Sequence, residues 1–330
     1  MNLSTRDDSE ERVMISTAYL YRGLCGLAHA YRANPMAGHL GAALVAGYFL
    51  GEELPHMDER VRSGITGELD RILNGEESTW FNPQEAGITI RELFAPIPSE
   101  SPQEAGILAI AEALSGNIDK ARQSGHNAIF AAIAIRSLRD HPQFATPTIL
   151  NGIRRLIEDF DDAVPGRGYY GRERGWIEGD QVRLQPADEP APYTDEAELA
   201  EAVIAELIQG ASLPRRGFGG LVHVINHAAA LVELSRHGYE DLARSGLHAH
   251  WQHVRLWRSL PVLTEELSPL ERATHDPRTP DFWTGGAFRR DTARLTHRIK
   301  TLYGFITLMR LIEDEAKRKE AGEQFLYLMA

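Results

Sequence analysis

Gly38-His-Leu-Gly-Ala-Ala-Leu-Val-Ala-Gly-Tyr-Phe-Leu-Gly51 is the stretch that decides the fold class. It is apolar nearly all round at helical period, the pattern of a helix packed inside a protein. A bilayer span needs about 20 such residues, so the run is too short to cross a membrane. Its second residue is a histidine, and three further histidines open helices of the same small-residue kind. These are His126-Asn-Ala-Ile-Phe-Ala-Ala-Ile, His223-Val-Ile-Asn-His-Ala-Ala-Ala and His297-Arg-Ile-Lys-Thr-Leu-Tyr-Gly. Three, seven and eleven residues beyond each histidine stand Ala42, Ala46 and Leu50; Ile129, Ile133 and Ser137; Asn226, Ala230 and Leu234; and Lys300, Gly304 and Leu308. Each set is one face of one helix. The histidines are 87, 97 and 74 residues apart, too irregular for a solenoid but suited to helix-hairpin units with inserted loops.

More polar helices flank these four. Ser101-Pro102-Gln103-Glu104 has the makings of a capping box and predicts a helix over 102–115. Thr146-Pro147 precedes Leu150, Ile153, Ile157 and Phe160 on one face, and Asp195 caps a third helix. Val61, Ile65, Leu69, Ile72 and Leu73 form a fourth stripe, stopped at Asn74-Gly75. The expectation is a single all-α domain over 1–330, in which irregular helix-hairpin repeats close as an α/α ring or multi-helix bundle. The histidines would then face a shared interior. Two long insertions, 161–194 and 259–287, break the helical pattern and are candidate lids. The first contains a small β-hairpin, expected around Gly179-Asp180.

Composition narrows the function. In 330 residues, 35 Lys and Arg stand against 47 Asp and Glu, a net charge of −12, which argues against nucleic acid or an anionic membrane as partner. Hydrophobic residues at 43% and charged residues at 25% describe a globular chain. Cys25 is the only cysteine, so no intrachain disulfide, cysteine zinc site or iron–sulfur cluster forms within the chain. The polar, partly acidic N-terminus fits neither a secretory signal nor a transit peptide, and the expected compartment is the cytoplasm. No Walker loop, Gly-x-Gly-x-x-Gly turn or Gly-x-Ser-x-Gly elbow stands between a strand and a helix.

The histidines carry the chemistry. His39 and His126 follow Gly38 and Gly125 at helix N-termini, where the helix dipole lowers the imidazole pKa. A neutral imidazole serves a metal, a general base or a hydrogen bond, and equally a buried carbonyl. His223 with His227, and His250 with His253, pair on one helical face, as an open metal site would require. No His-Glu-x-x-His or Glu-x-x-His motif accompanies them. Lys300 shares the face of His297 and is either buried with a lowered pKa or snorkelling outward. Arg289, Arg290, Arg294 and Arg298, and in another segment Arg167, Arg172 and Arg174, suit either an anionic group or a solvated face. Glu158-Asp159-Phe160-Asp161-Asp162 resembles an acidic magnesium motif, or is a solvated helix end.

Four of these elements together resemble the questin oxidase-like family, whose founding members open anthraquinone rings by Baeyer–Villiger-type oxidation. They are Gly38-His39; His126-Asn-Ala-Ile ahead of Ala-Ile-Arg-Ser-Leu; Leu221-Val-His223-Val-Ile-Asn-His227-Ala ahead of Trp251-Gln252; and His297-Arg-Ile-Lys300. The resemblance touches the chain from about residue 20 to 320. It implies an oxygenase that uses O2, with NADPH as reductant and no flavin-binding fold, acting on an aromatic polyketide-like small molecule. His39, His126, His223, His227, His297 and Lys300 are then the candidate catalytic residues, and Trp251, Trp257, Tyr303 and Arg298 the candidate substrate contacts. In that scheme His126 or His223 removes a phenolic proton, and Lys300 and His297 stabilise the oxyanion. Two other readings stay open: a histidine-ligated metal-dependent oxygenase or hydrolase, and a non-catalytic helical scaffold or carrier. A homodimer is compatible with any of them.

Overall fold

The computed structural model describes residues 14–77, 79–80, 82–186, 189–284 and 295–330. The four histidine-opened segments become four helices, Gly38–Glu53, His126–Asp140, Gly220–Arg236 and Leu295–Met309. Each packs on the next, and the last packs on the first, so they close into an inner ring. Almost every residue of the first, from Gly38 to Gly51, is buried, as its all-round apolarity requires. Phe49, Phe130 and Phe305 are fully enclosed, each worth about 1.5–3 kcal/mol of hydrophobic stabilisation.

Amphipathic helices wrap this ring. Thr17–Ala30 lies on the His39 helix and on Pro147–Glu158, and Glu59–Leu73 lies against the His39 and His297 helices. Ile107–Ser115 covers the His126 helix, and Glu240–Ser259 covers the His223 helix. Glu196–Gly210, capped as expected by the Asp195 carboxylate on the Glu198 N–H, packs on the His223 and His297 helices. Val61, Ile65, Leu69 and Ile72 face inward in Glu59–Leu73, and Gly75 follows with φ of +78°. Close approach is bought by glycine at Gly41, where a Cβ would lie 2.5 Å from the Leu27 amide nitrogen.

All four inner helices carry a histidine in their first turn, and these histidines meet, so the helices run in the same direction with their N-termini together. Further along, Arg136 fastens the same four helices. From the His126 helix its guanidinium reaches Glu53 at 2.7 Å, Glu233 at 3.3 Å and the Tyr303 hydroxyl at 2.7 Å, and stacks over Phe49 at 3.8 Å.

Two expectations need correction. The helix predicted from residue 102 begins as a 3-10 turn at Glu104–Gly106 and becomes α-helical only at Ile107, because Gln103 stays outside the helix with its N–H on the Ala145 carbonyl. The hairpin is not turned at Gly179-Asp180. Trp176–Glu178 pairs backward with Arg167–Tyr169, and Gly179–Gln181 is a 3-10 turn. The 161–194 segment also does structural work: Phe218 N–H donates to the Arg167 carbonyl at 2.8 Å and Tyr169 N–H to Arg216 at 2.8 Å, so the hairpin braces the loop ahead of His223. The 259–287 segment includes a short helix, Pro280–Thr284, and its end lies outside the described residues. No described helix is long and apolar enough to cross a membrane.

Candidate functional site

Two strained turns aim two of the histidines. Gln123, Ser124 and Gly125 run left-handed in succession, with φ of +44°, +61° and +85°, directly before His126. Phe218, Gly219 and Gly220, at +47°, +69° and +66°, do the same before the His223 turn. A non-glycine residue in this region costs roughly 1–2 kcal/mol, and such strain persists where surrounding bonds hold it. Here Gln123 N–H is held by the Val164 carbonyl, Ser124 N–H by Pro165 and Phe218 N–H by Arg167.

The turns return carbonyl acceptors to the rings they precede. His126 Nδ1–H donates to the Gln123 carbonyl, and His223 Nδ1–H donates to Gly219 at 2.7 Å. His39 Nδ1–H donates in the same way to Met36 at 3.0 Å. A carbonyl only accepts, so all three neutral rings carry their proton on Nδ1 and a lone pair on Nε2. Those Nε2 atoms point at one another: His126 to His39 is 3.0 Å, and His126 to His223 is 3.1 Å. The ring nitrogens of His39, His223 and His297 lie within 4.8 Å of one another.

Three lone pairs at this spacing repel unless a cation lies between them. The ordinary route to a cation is a proton, and the site opposes it. Burial first, and then Lys300 and the neighbouring rings, hold His39 well below the usual histidine value. Burial pushes His223 down to about 3, and burial with the His223 charge holds His126 low. A metal ion meets the same need, and a backbone carbonyl on Nδ1–H with Nε2 free is how imidazole ligands are normally oriented. A metal–imidazole distance of about 2.0–2.1 Å puts cis nitrogens about 2.9–3.4 Å apart, depending on coordination angle, and the two His126 spacings, 3.0 and 3.1 Å, fall in that range.

The surroundings fix the rings and set the field. Trp80 stacks on His39 at 3.6 Å between centroids and meets His297 edge-on at 5.1 Å. Lys300 is buried beside the cluster, its amine pushed down to about 7 by burial, with Glu77 opposing the shift. Glu77, fully buried, accepts the Thr296 N–H at 2.8 Å at the start of the His297 helix, and burial raises its carboxyl. Four converging helix N-termini and Lys300 make the site positive, so any ion held here is best matched with an anionic ligand.

Among the residues expected from sequence, His39, His126, His223 and His297 come together, with Lys300 beside them. His227 lies one layer back, its Nδ1 3.4 Å from that of His253. The His250 and His253 pair is not a metal pair: His250 Nε2–H donates to Val224 at 3.1 Å and His253 Nε2–H to Phe218 at 2.8 Å, and Tyr193 donates to His250 Nδ1 at 2.6 Å. Trp257, Arg298 and His297 line a pocket of about 230 Å³ together with Leu221, Arg215 and Tyr327. Within it the Arg298 guanidinium is engaged by buried Glu68 at 2.7 Å. Tyr303 sits at the far end of the inner ring under Arg136, and Trp251 packs on the outer layer between Tyr193 and Arg258. Arg289, Arg290 and Arg294 lie outside the described residues. The Glu158–Asp162 run is a helix end with exposed Asp159, Asp161 and Asp162, and Phe160 is buried against Phe130. Arg167 and Arg174 lie over Trp176 and Tyr170. Trp80 and Glu77 carry no sequence signal, because both stand in an irregular loop with no periodicity to place them.

No family model matches this chain, no curated protein is significantly similar to it, and no solved structure matches its fold.

Proposed function

We propose that this chain is a metal-dependent oxygenase whose ion is held by His39, His126, His223 and His297. The observation that carries the reading is the mutual approach of three Nε2 lone pairs whose rings have all committed Nδ1–H to backbone carbonyls. A nitrogen-only ligand set suits iron, copper, nickel or zinc, and of these an oxygenase needs a redox-active ion. When bound, such an ion supplies activation of O2. The resemblance to the questin oxidase-like family supports the oxygenase class and an aromatic polyketide-like substrate.

The chain's own residues then have distinct tasks. The pocket against Trp257 and Leu221 is large enough for a fused ring system and brings it to the His297 edge of the cluster. Lys300 offers an amine to an oxyanion formed beside the histidines. Because Nε2 of His126 and His223 faces other imidazoles, these rings serve as ligands in preference to general bases. A Baeyer–Villiger step inserts one oxygen atom between a carbonyl and its neighbouring carbon. The second oxygen atom leaves as water with two electrons from NADPH and two protons.

Oxygen uptake with a panel of hydroxyanthraquinones tests this, with and without NADPH and after chelator treatment. The expected result is substrate-dependent uptake that chelation abolishes and added ferrous ion restores. Uptake unaffected by chelation would return His126 and His223 to proton transfer. Tight ligand binding with no uptake would favour the carrier.

A further inference from the structure

Beyond the histidines the inner ring is not fully packed. A cavity of about 20 Å³ lies between the His126, His223 and His297 helices. Ile129, Ala132, Ile133, Ala229, Ala230 and Gly304 form its apolar wall. Lys300 and Asn226 stand in the lining on the histidine side, each three residues beyond a cluster histidine, and Tyr303 and Glu233 close the other end under Arg136. Protein interiors are packed to crystal density, so a gap left between three helices by Ala132, Ala229, Ala230 and Gly304 is a feature of the sequence. The gap is set by small residues: a Cβ on Gly304 would come within 2.6 Å of Asn226 Oδ1.

Two properties select the occupant. A volume of about 20 Å³ exceeds the roughly 10–15 Å³ needed for a molecule of water size and excludes any organic ring. The wall is apolar, and apolar cavities stay dry and take up apolar gases. At the histidine end the lining turns polar: Asn226 is 5% exposed and its Oδ1 has no hydrogen-bond partner among the described residues. Lys300 is 3% exposed, with its amine over the Phe130 ring at 5.7 Å.

We infer that this cavity is the holding site for dioxygen, delivered to the histidine cluster from the ring interior while the organic substrate occupies the separate pocket at His297. The inference rests on the oxygenase reading and adds to it a division of the two substrates between two compartments. Asn226 and Lys300 mark the exit, where oxygen gains charge and acquires hydrogen-bonding demand.

Xenon is the probe, because it occupies apolar gas sites without any chemistry. The purified, metal-loaded protein under xenon pressure should show one xenon between Ala132, Ala230 and Gly304. Ala230→Val and Ala132→Val, each adding two methyl groups, should remove it. Ile133→Ala, which enlarges the gap, should strengthen it and guards against a valine variant that fails to fold. In oxygen uptake the valine variants should raise KM for O2 about five-fold, with kcat at saturating oxygen and metal content unchanged. No xenon in the cavity of a protein that consumes oxygen would overturn the gas site and leave the oxygenase reading standing. An unchanged KM for O2 in a folded valine variant that has lost its xenon would do the same. Xenon bound in a protein that takes up no oxygen with any substrate would overturn the oxygenase reading and the dioxygen assignment with it.

Discussion

Gly219 and Gly220 separate two effects that usually travel together. Both are left-handed, at φ +69° and +66°, so an alanine at either is strained by roughly 1–2 kcal/mol. A Cβ on Gly219 would also stand 2.4 Å from the His223 ring, whereas a Cβ on Gly220 meets nothing within 4 Å. Both variants should therefore lose stability, Gly219→Ala the more because the His223 ring must shift, and only Gly219→Ala should weaken metal binding. Titration of both chelator-stripped variants with ferrous ion checks this, and equal affinities would mean that His223 is free to move. His250 contributes one part of the pH dependence. In the unfolded chain it titrates near 6.5, and in the folded protein burial, followed by the His253 charge, pushes it down to about 3. Between those values the unfolded state binds the proton and the folded state does not. Stability thus falls as pH drops below 6.5, by up to about 1.4 kcal/mol per pH unit for this residue. Denaturant midpoints of His250→Gln between pH 6 and 4 should fall less steeply than those of the wild type, and parallel profiles would show that His250 charges inside the fold.

Among the elements, the inner helices depend on Arg136. Replacing it with Met keeps the stem over Phe49 but takes the guanidinium away from Glu53, Glu233 and Tyr303 at once. Uncompensated buried charge costs about 3–5 kcal/mol, and because Arg310 stays on Glu53 and Arg236 on Glu233 the lower figure is expected. Arg60→Ala, which removes an exposed pair with Asp58, should leave stability essentially unchanged. Thermal melts of the two variants make the comparison. These helices were also the most legible part of the sequence. The faces counted from His126, His223 and His297 put Ile129 with Ile133, Asn226 with Ala230, and Lys300 with Gly304 on one side of their own helices, and all six line one cavity. Helical period fixes such a face whatever the helix packs against. Contacts made by irregular backbone left no comparable trace. The hairpin register depends on the Gly217 loop it pairs with, the helix after Ser101 starts late because Gln103 is drawn to Ala145, and Trp80 reaches His39 from a loop. Tautomers were equally hidden, since they depend on which carbonyl each Nδ1 meets. For that reason sequence alone left His250 and His253 as possible ligands and His126 as a possible base.

Across the whole molecule, one end of the inner ring is held by Arg136 and the other is a set of imidazoles that repel one another without a cation. A bound ion should therefore stabilise the fold, by about 2.7 kcal/mol when its free concentration is a hundred times its Kd. Chelator-stripped protein should melt lower than metal-loaded protein, and His223→Ala should melt at the same temperature with and without metal. The fold class needs only the four helices, but the function turns on what lies between their histidines. Elemental analysis of protein purified without chelator, wild type beside His126→Ala and His223→Ala, addresses that directly. The proposed four-histidine centre predicts about one redox-active first-row metal ion per wild-type chain and a large loss of it in both variants. A folded wild-type protein with no stoichiometric metal, and no gain on adding ferrous ion, would contradict it.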